Sequence, residues 1–462
     1  MTRIAAELSD LPRVRRSGFV NAVEYWLRND VLIERLSRLG DRFVLTMPGT
    51  GAWLCLTDPR DIEVAFRAPA EDMYMAEVVR MLSPHELVLG PRQLTALDGS
   101  EHLEKRRMLL PAFHGDALKS YTPTIEEKAR QAATSWPIER SVPALPLAQD
   151  VALEIIMAVV FGVTDRARLD RLRRATLELT SYVASRRFIV QMAITNARGD
   201  RFQRRFPKIE TLKGAVDAVV LEEIAERRRA GRSSTHDVLG RLLAMTDEHG
   251  RPMSDAELCD NMRLLLIGGH DTTAATIAWT LERVTHNPAV LDRLEGAVAA
   301  GDDAYVDAVI QETLRMRPIF PFSVRMTKQP LELEGLVVPA QTIVVPYIAL
   351  VHRRPELYPD PDEFRPERFL TARPGSYSWI PFGGGIYRCL GASMAMLEAR
   401  IVIRTLIEQL KLNRSPTSPE RSRRQHVTFV PGRGAVTTAT RRRGADAMAL
   451  SQDVRASVTP GP

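Results

Sequence analysis

The spacing of apolar residues predicts a mainly α-helical chain with small β-sheets near each end. From about residue 100 to 320, apolar positions recur at intervals of three and four with few helix breakers. Residues 43–66 read as two short strands around a Pro48–Gly51 turn, followed by a helix, and residues 320–350 read as extended chain. Residues 352–385 are rich in Pro and Gly, which predicts irregular coil. A helix over about 390–410 and a short strand pair over 427–440 complete the pattern.

No internal repeat or linker divides the chain, which predicts a single domain over residues 1–440. The tail over residues 441–462 combines a basic run with small polar residues, and we expect it to be disordered. No stretch reaches the roughly 18 uncharged apolar residues that a transmembrane helix needs. The best candidate, Leu264–Leu281, is interrupted by His270 and Asp271. Because the N-terminus does not resemble a secretory signal, the sequence predicts a soluble, cytoplasmic protein.

The net charge of +6 and the pI near 9.3 raise the question of nucleic-acid binding. Acidic residues are interspersed among the basic ones, aromatic residues make up only 6%, and no nucleic-acid motif is present. A basic docking face for an acidic protein partner is the favoured interpretation. The three cysteines, Cys55, Cys259 and Cys389, are too few and too scattered for a disulfide framework.

A glycine-rich segment precedes Cys389 and a predicted helix. Residues 382–391 read Phe-Gly-Gly-Gly-Ile-Tyr-Arg-Cys-Leu-Gly. Consecutive glycines let the backbone adopt unusual dihedrals and approach a flat ligand closely. A sulfur at a helix N-terminus is expected to have a lowered pKa, as an anionic ligand or a nucleophile would. A plain glycine turn with a buried cysteine is the alternative, and a phosphate loop is disfavoured because the Gly-Lys-Ser/Thr ending is missing.

A second segment lies in the middle of a long predicted helix. Ser254-x-x-Glu257 is a capping box that starts this helix, and Asn287-Pro288 ends it. Midway, residues 268–273 read Gly-Gly-His-Asp-Thr-Thr, which are poor helix formers. The sequence therefore predicts a local distortion with a function. The alternative is a helix–helix contact that requires small residues.

Two further segments are weaker alone. Glu312 and Arg315 share a helix face at a spacing of three, as many exposed ion pairs do. His102 and Arg106 share a face of the basic segment 99–114, which could equally be a solvated helix.

Together, in this order, the four segments resemble the cytochrome P450 family over roughly residues 10–440. The resemblance implies the cytochrome P450 fold, a single triangular domain that is mainly α with small β-sheets. It implies haem b (iron protoporphyrin IX) as the cofactor and Cys389 as the axial ligand of the iron. The remaining residues that it assigns to cofactor binding are His102, Arg106, Gly268, Gly269, Arg325, Phe382, Gly383, Tyr387 and Gly391.

The resemblance also assigns roles to individual residues. Gly268 and Gly269 would make room for dioxygen, while Asp271 and Thr272 would deliver protons. Glu312, Arg315 and Arg368 would form a buried structural lock. Tyr387 departs from the family, which usually has Arg or His two residues before the cysteine, donating to a haem propionate. A tyrosine donates without charge assistance, so we expect haem anchoring to depend more on other residues.

The function implied is that of a haem-thiolate monooxygenase, which inserts one atom of dioxygen into a hydrophobic small molecule. Because the chain shows no flavin or iron–sulfur domain, electrons are expected from separate proteins, such as a ferredoxin and its reductase, docking near Arg388. A peroxide-driven or isomerising haem–thiolate enzyme, and a non-catalytic haem sensor, are the alternatives. The side chains expected to line the substrate pocket are Met73, Met75, Leu87, Val88, Leu264, Ile319, Phe320 and Phe322.

Overall fold

A computed structural model describes residues 8–83, 85–163, 165–185, 187–188, 206–231, 236–371, 374–425 and 427–442. The helices are α1 (Gly18–Leu27), α2 (Asn29–Leu36), α3 (Pro59–Arg67), α4 (Ala76–Leu82), α5 (His85–Leu89), α6 (Gly99–Leu109), α7 (Asp116–Ser135), α8 (Ala144–Ile156), α9 (Arg166–Ala184), α10 (Pro207–Arg229), α11 (Val238–Ala244), α12 (Asp255–Thr285), α13 (Pro288–Ala299), α14 (Asp303–Met316), α15 (Ile348–Val351), α16 (Arg368–Thr371) and α17 (Ala392–Gln409). Short 3₁₀ turns cover Leu94–Ala96, Leu110–Phe113 and Gly385–Tyr387, and a π turn, Met157–Phe161, extends α8.

Within the described residues, the strands form four small sheets. They are β1 (Arg42–Met47), β2 (Gly51–Leu56), β3 (Met73–Tyr74), β4 (Ser141–Pro143), β5 (Arg325–Thr327), β6 (Leu331–Leu333), β7 (Leu336–Val338), β8 (Ile343–Pro346), β9 (Leu410–Leu412), β10 (Ser422–Gln425), β11 (Thr428–Pro431) and β12 (Val436–Arg441). The largest sheet has the order β1-β2-β8-β5-β3, with β2 and β8 parallel and the other pairs antiparallel. It therefore joins the N-terminal strands to the extended chain that follows α14.

Helix α12 is the centre of the fold. Its capping box is formed as predicted, with Ser254 and Glu257 each bonding the other's backbone N–H. Helix α8 packs along it, and α10, α14 and α17 also contact it. The helix runs without interruption through residues 268–273, so the predicted distortion does not break it. The hydroxyls of Thr272, Thr276 and Thr280 each donate to the carbonyl four residues earlier, which accommodates threonine within a helix.

The elements predicted at residues 43–66, 320–350 and 390–410 are confirmed, but the C-terminal end differs. Strands β11 and β12 lie in the predicted region without pairing to each other: β11 pairs with β10, and β12 pairs with β4 and β9. Arg441 and Arg442 belong to the fold, since their guanidinium groups donate to the carbonyls of Ala133 at 2.8 Å and Ile407 at 2.7 Å. The rest of the tail predicted over residues 441–462, from 443 onward, lies outside the described residues.

One helical segment among the described residues is long and apolar enough to cross a membrane, and it differs from the stretch favoured by sequence. It spans Ala144–Phe161, with a mean hydropathy of 1.8, and 67% of it is buried inside the protein. This segment is α8 with its π turn, the helix that packs along α12. A mostly buried core helix of a globular protein meets the same criterion of length and hydropathy, and α8 is such a helix.

Candidate functional site

Cys389 lies in a loop that α3 and α17 hold in place. Its backbone N–H donates to the carbonyl of Phe382 at 2.9 Å, which closes the glycine-rich turn. Gly383 adopts a φ of +68° and Gly385 a φ of +64°, a region that favours glycine. A side chain at Gly385 would collide with the carbonyl of Phe66 in α3. The loop sequence is thus required by close packing as well as by backbone conformation.

Cys389 is an exposed residue, whereas Cys55 and Cys259 are buried. The pKa of Cys389 is nevertheless raised, because the surrounding protein desolvates the sulfur more than its neighbours stabilise the thiolate. The N–H of Gly391 and the charges of Arg388 and Arg106 act in the opposite direction. The lowered pKa predicted from the helix N-terminus is therefore wrong for the free thiol. A metal cation bound to this sulfur would favour the thiolate, because a metal-ligating cysteine must be deprotonated.

Helix α12 is accessible around Gly268. Gly268 is exposed, and Leu265 and Thr272, three residues before it and four after it, are partly accessible, whereas nearly all of the helix after Thr272 is buried. The Thr272 hydroxyl donates to the Gly268 carbonyl at 2.7 Å. A Cβ at Gly268 would meet no atom within 4 Å. The strip formed by these three residues therefore offers a hydroxyl and an unobstructed stretch of backbone to a ligand.

Gly269 packs differently from Gly268. It faces α8, and a Cβ there would collide with the side chain of Ile156. The glycine thus permits the close contact between α8 and α12, which is the helix-packing alternative weighed for this segment. Only Gly268 of the pair faces open space.

Asp271 lies beside α8 and is nearly buried. Its Oδ1 accepts a hydrogen bond from the Gln149 side-chain amide at 3.1 Å. The Nδ1 of His270 lies 3.5 Å from the same oxygen, and its Nε2 lies 3.0 Å from the Gln149 carbonyl oxygen. Asp271 thus has His270 and Gln149 as polar neighbours. The sequence did not predict either residue as a partner of Asp271.

Helix α6 places His102 and Arg106 on one face, as their spacing predicts. The two ring nitrogens of His102 lie 3.0 Å from the Leu94 carbonyl oxygen and 3.2 Å from that of Ile386 in the cysteine loop. Burial lowers the pKa of His102, and a neutral ring carries only one N–H, so one of these two contacts is a hydrogen bond at a time. Arg106 is half-buried, and none of the described residues accepts a hydrogen bond from it.

Arg325 is buried at the start of β5 and reaches the same loop. Its guanidinium donates to the Gly384 carbonyl at 3.2 Å, to the Val324 carbonyl at 2.7 Å and to the Ser323 hydroxyl at 2.9 Å. Burial lowers its pKa to about 10, so the group remains charged near neutrality. A positive charge thus lies against the glycine turn.

Tyr387 is held on three sides. Its ring centroid lies 4.4 Å from that of His102, and the Arg325 guanidinium carbon lies 4.7 Å from it on a cation–π contact. The hydroxyl donates to Oδ1 of Asp98 at 2.9 Å. Burial first, and then the Asp98 charge, raises the pKa of Tyr387, so the phenol keeps its proton. That proton points to Asp98, and the propionate contact expected of Tyr387 stays a prediction.

Glu312 and Arg315 form a wholly buried ion pair. Arg315 Nε donates to Glu312 Oε2 at 2.6 Å and Nη2 donates to Oε1 at 2.9 Å. Arg368 Nε lies 3.4 Å from Glu312 Oε1, and the Arg365 backbone N–H donates to the same oxygen at 2.9 Å. The contacts among Glu312, Arg315 and Arg368 match the predicted lock. The backbone N–H of Arg365 is a further donor that was not predicted.

His352 and Tyr358 extend this lock toward the cysteine loop. The Nε2 of His352 accepts from the Ile380 N–H at 2.9 Å, and its Nδ1 lies 3.2 Å from the Arg315 carbonyl oxygen. The Tyr358 ring lies 5.1 Å from the Arg315 guanidinium, and its hydroxyl donates to the Ser378 carbonyl at 3.0 Å. Sequence reasoning missed both residues. Their only signal was their position in the coil between Arg315 and Cys389.

Two of the side chains expected to line the substrate pocket are packed inside the protein. Met73 is buried in β3, a strand of the largest sheet. Phe322 lies among the rings of Tyr25, Trp53 and Tyr347, at centroid distances of 5.4, 5.4 and 5.6 Å. Phe320 is 38% exposed, and Leu264 is partly accessible on α12, so these two remain available to a ligand.

The chain matches the sequence profile of the family "Cytochrome P450" over residues 19–437. The chain belongs to the cytochrome P450 family. It is 36% identical to cytochrome P450 137 of Mycobacterium tuberculosis over 430 residues, covering 92% of this chain and 88% of that protein. It is also 36% identical to cytochrome P450 135B1 of Mycobacterium bovis over 436 residues, covering 92% and 90%.

A solved structure, retinoic acid-bound cyanobacterial CYP120A1, has the same fold, with a TM-score of 0.75. It shares 22% sequence identity, and the match covers 94% of this chain and 99% of the other. The predicted P450 fold is confirmed. As a P450, the protein is a haem-containing monooxygenase, an oxidoreductase, and haem is its cofactor.

The residues of the site fit a haem. Cys389 is an exposed cysteine, Gly268 on α12 leaves backbone uncovered, and Arg106 is a half-buried cation whose side-chain hydrogen-bond donors no described residue uses. An anionic, flat ligand suits this set of residues. A cysteine thiolate bound to haem iron would favour cleavage of the O–O bond of dioxygen.

Proposed function

We propose that Cys389 is the axial ligand of the haem iron and that this P450 inserts one oxygen atom of dioxygen into a hydrophobic small molecule. One observation carries the assignment of the ligand. Of the chain's three cysteines, only Cys389 is an exposed residue, and it lies in a turn closed by the Phe382 carbonyl and packed on Phe66. Cys55 and Cys259 are buried among the core residues.

The strip on α12 would provide the distal side of the site. Thr272 presents a hydroxyl beside the open backbone of Gly268, and Asp271 follows Gly268 by three residues on the same helix. A hydroxyl can hold a water or a substrate oxygen in place, and a carboxylate can replace the proton that is delivered. We assign proton delivery to this pair, with Gln149 and His270 holding the carboxylate of Asp271.

The arginines beside Cys389 support docking of a separate, acidic electron donor. Arg388 is exposed next to the sulfur, and Arg107 is exposed on α6. Positive charge at such a surface accelerates encounter with a negatively charged protein. A ferredoxin with its reductase is the donor that we propose, acting in the cytoplasm, where thiols stay reduced.

A hydrophobic substrate is favoured by the side chains that remain accessible around the strip. Leu264 and Leu265 are partly accessible on α12, and Phe320 is exposed after α14. Ligand sites are commonly apolar with a few polar groups that orient the ligand, and Thr272 is such a group here. Binding spectra measured against a library of lipids would identify the class of substrate.

The ligand assignment is tested by Cys389→Ser, with Cys259→Ala as the matched control that removes another thiol. The reduced control should keep the far-red-shifted absorption band in carbon monoxide, and Cys389→Ser should lose it. An unchanged band in Cys389→Ser would refute the assignment. Turnover supported better by hydrogen peroxide than by a ferredoxin system would refute the proposed electron donor.

A further inference from the structure

The carboxylate of Asp98 connects three parts of the site. Asp98 directly precedes α6, which carries His102 and Arg106. Its Oδ1 accepts from the backbone N–H groups of Met75 at 2.7 Å and Ala76 at 2.9 Å, and Oδ2 accepts from that of Glu77 at 3.1 Å. These are donors at the first turn of α4, which an acceptor side chain stabilises. A residue far along the chain from α4 thus caps this helix.

The same Oδ1 accepts the hydroxyl of Tyr387, 289 residues further along the chain. The tyrosine cannot easily turn away, because its ring lies between the His102 ring and the Arg325 guanidinium. The acceptor is a carboxylate, and hydrogen bonds to charged acceptors are about twice as strong as neutral ones. The cysteine loop is therefore joined to the start of α4 through one carboxylate.

A second connection closes a circuit between the same elements. Lys328 follows β5 directly, and its ammonium pairs with the Glu77 carboxylate of α4. The Lys328 backbone N–H also donates to the Asp72 carbonyl at 2.7 Å. Arg325, at the other end of β5, contacts the Tyr387 ring and the Gly384 carbonyl of the cysteine loop. Helix α4 and the loop are thus linked twice, through Asp98 and through β5.

We propose that Tyr387 is a positioning residue that couples the cysteine loop to helix α4 through Asp98, in place of the propionate contact made by the usual basic residue. The proposal rests on the proposed function in taking the loop of Cys389 as the haem-binding loop. Displacing α4 removes three donors from Asp98 and frees the carboxylate that fixes Tyr387. Whatever orders α4 should therefore also steady the loop, and loosening the loop should weaken the cap of α4.

Hydrogen–deuterium exchange of the haem-loaded protein tests this coupling. Peptides covering residues 73–82 and 382–391 would be followed in the parent, Tyr387→Phe, Asp98→Asn and the double variant. Tyr121→Phe is the matched control, because it removes a buried tyrosine hydroxyl that donates to the Ala112 carbonyl, outside this circuit. We expect Tyr387→Phe to raise exchange in both peptides, by about tenfold in the loop, the effect of losing one hydrogen bond to a charged group.

The double variant gives the sharper result. If the two residues act through one contact, Asp98→Asn should raise exchange in the loop by itself but add little when Tyr387 is already Phe. Two outcomes would overturn the proposal. One is that Tyr387→Phe speeds haem transfer to an acceptor apoprotein while exchange at 73–82 stays at the parent level, which indicates a propionate contact. The other is that the loop effects of the two substitutions simply add.

Failure of this proposal can be told apart from failure of the proposed function. The parent's reduced spectrum in carbon monoxide is recorded first, and it reports thiolate ligation without reference to Tyr387 or α4. A normal spectrum with independent exchange in the two peptides would leave the haem assignment standing and remove the coupling.

Discussion

His352 should make the stability of this P450 sensitive to acid. The imidazole is completely buried, and burial lowers its pKa to about 3, with the nearby Arg315 charge adding to the effect. Because Nε2 accepts the Ile380 N–H, it carries no proton, and the ring is neutral with its N–H at Nδ1 directed to the Arg315 carbonyl. Protonating Nε2 would replace the acceptor of the Ile380 N–H by a second N–H group, so that two donors would face each other.

The sign follows from comparing the two states. An unfolded imidazole binds a proton below about pH 6.5, while the folded one stays neutral down to about pH 3. The unfolded state therefore binds more protons in this window, and folding stability falls as the pH is lowered through it. One pKa unit corresponds to about 1.4 kcal/mol, so His352 can change the free energy of unfolding by at most about 5 kcal/mol. Between pH 8 and pH 5, its protonation in the unfolded state should lower that free energy by about 2 kcal/mol.

Urea unfolding of the haem-loaded protein at pH 8 and pH 5 measures this loss. In His352→Gln, an amide oxygen can accept the Ile380 N–H without titrating, so the variant should lose about 2 kcal/mol less than the parent between the two pH values. The control is His249→Gln, which changes an exposed histidine and should follow the parent. His85 and His102 also have lowered pKa values, so only the difference between variant and parent reports on His352. Equal acid losses in the parent and His352→Gln would refute the reasoning.

Two further predictions concern the distal strip and the lock. Thr272→Ala should lower the product formed per NADPH on the order of tenfold and raise peroxide release, because the accessible hydroxyl is lost. Thr276→Ala removes the same type of hydroxyl-to-carbonyl bond one turn further along, at a buried position, and should leave both quantities unchanged. Equal product yields in the two variants would remove Thr272 from proton delivery. Glu312→Gln should destabilise the fold by about 3–5 kcal/mol, because it leaves Arg315 charged and buried. Glu127→Gln breaks an exposed Glu–Arg pair of the same spacing and should cost less than about 1 kcal/mol, and similar losses from both would contradict the lock.

Features built from neighbouring residues could be predicted from the sequence. The capping box at Ser254 and Glu257 depends on two residues in one turn and is formed as expected. The same holds for the shared face of His102 and Arg106, and for the ion pair of Glu312 with Arg315. In each case the helix period fixes which side chains meet, so spacing alone carries the information.

Features that depend on distant partners could not be predicted. His352 and Tyr358 lie in irregular coil, where no period states which way a side chain points. Gly268 and Gly269 differ in what they face, and this difference depends on the position of Ile156 on α8, which the sequence does not show. The pKa of Cys389 was predicted in the wrong direction, since the helix N-terminus is visible in the sequence and the desolvation of the sulfur is not.

The coil before Cys389 is therefore held by side chains, although the sequence shows it only as irregular chain. Nine residues before Cys389, the Ile380 N–H is bonded to a neutral histidine, and two residues before it the Tyr387 hydroxyl is bonded to a carboxylate. Between them, Arg325 holds the Gly384 carbonyl, and Phe66 packs against the glycines. Regular structure would have fixed this backbone through its own N–H and C=O groups. Here side-chain partners fix it instead. Because these partners come from α3, from β5, from the residue before α6 and from the residue after α15, the position of Cys389 depends on contacts with four separate parts of the fold.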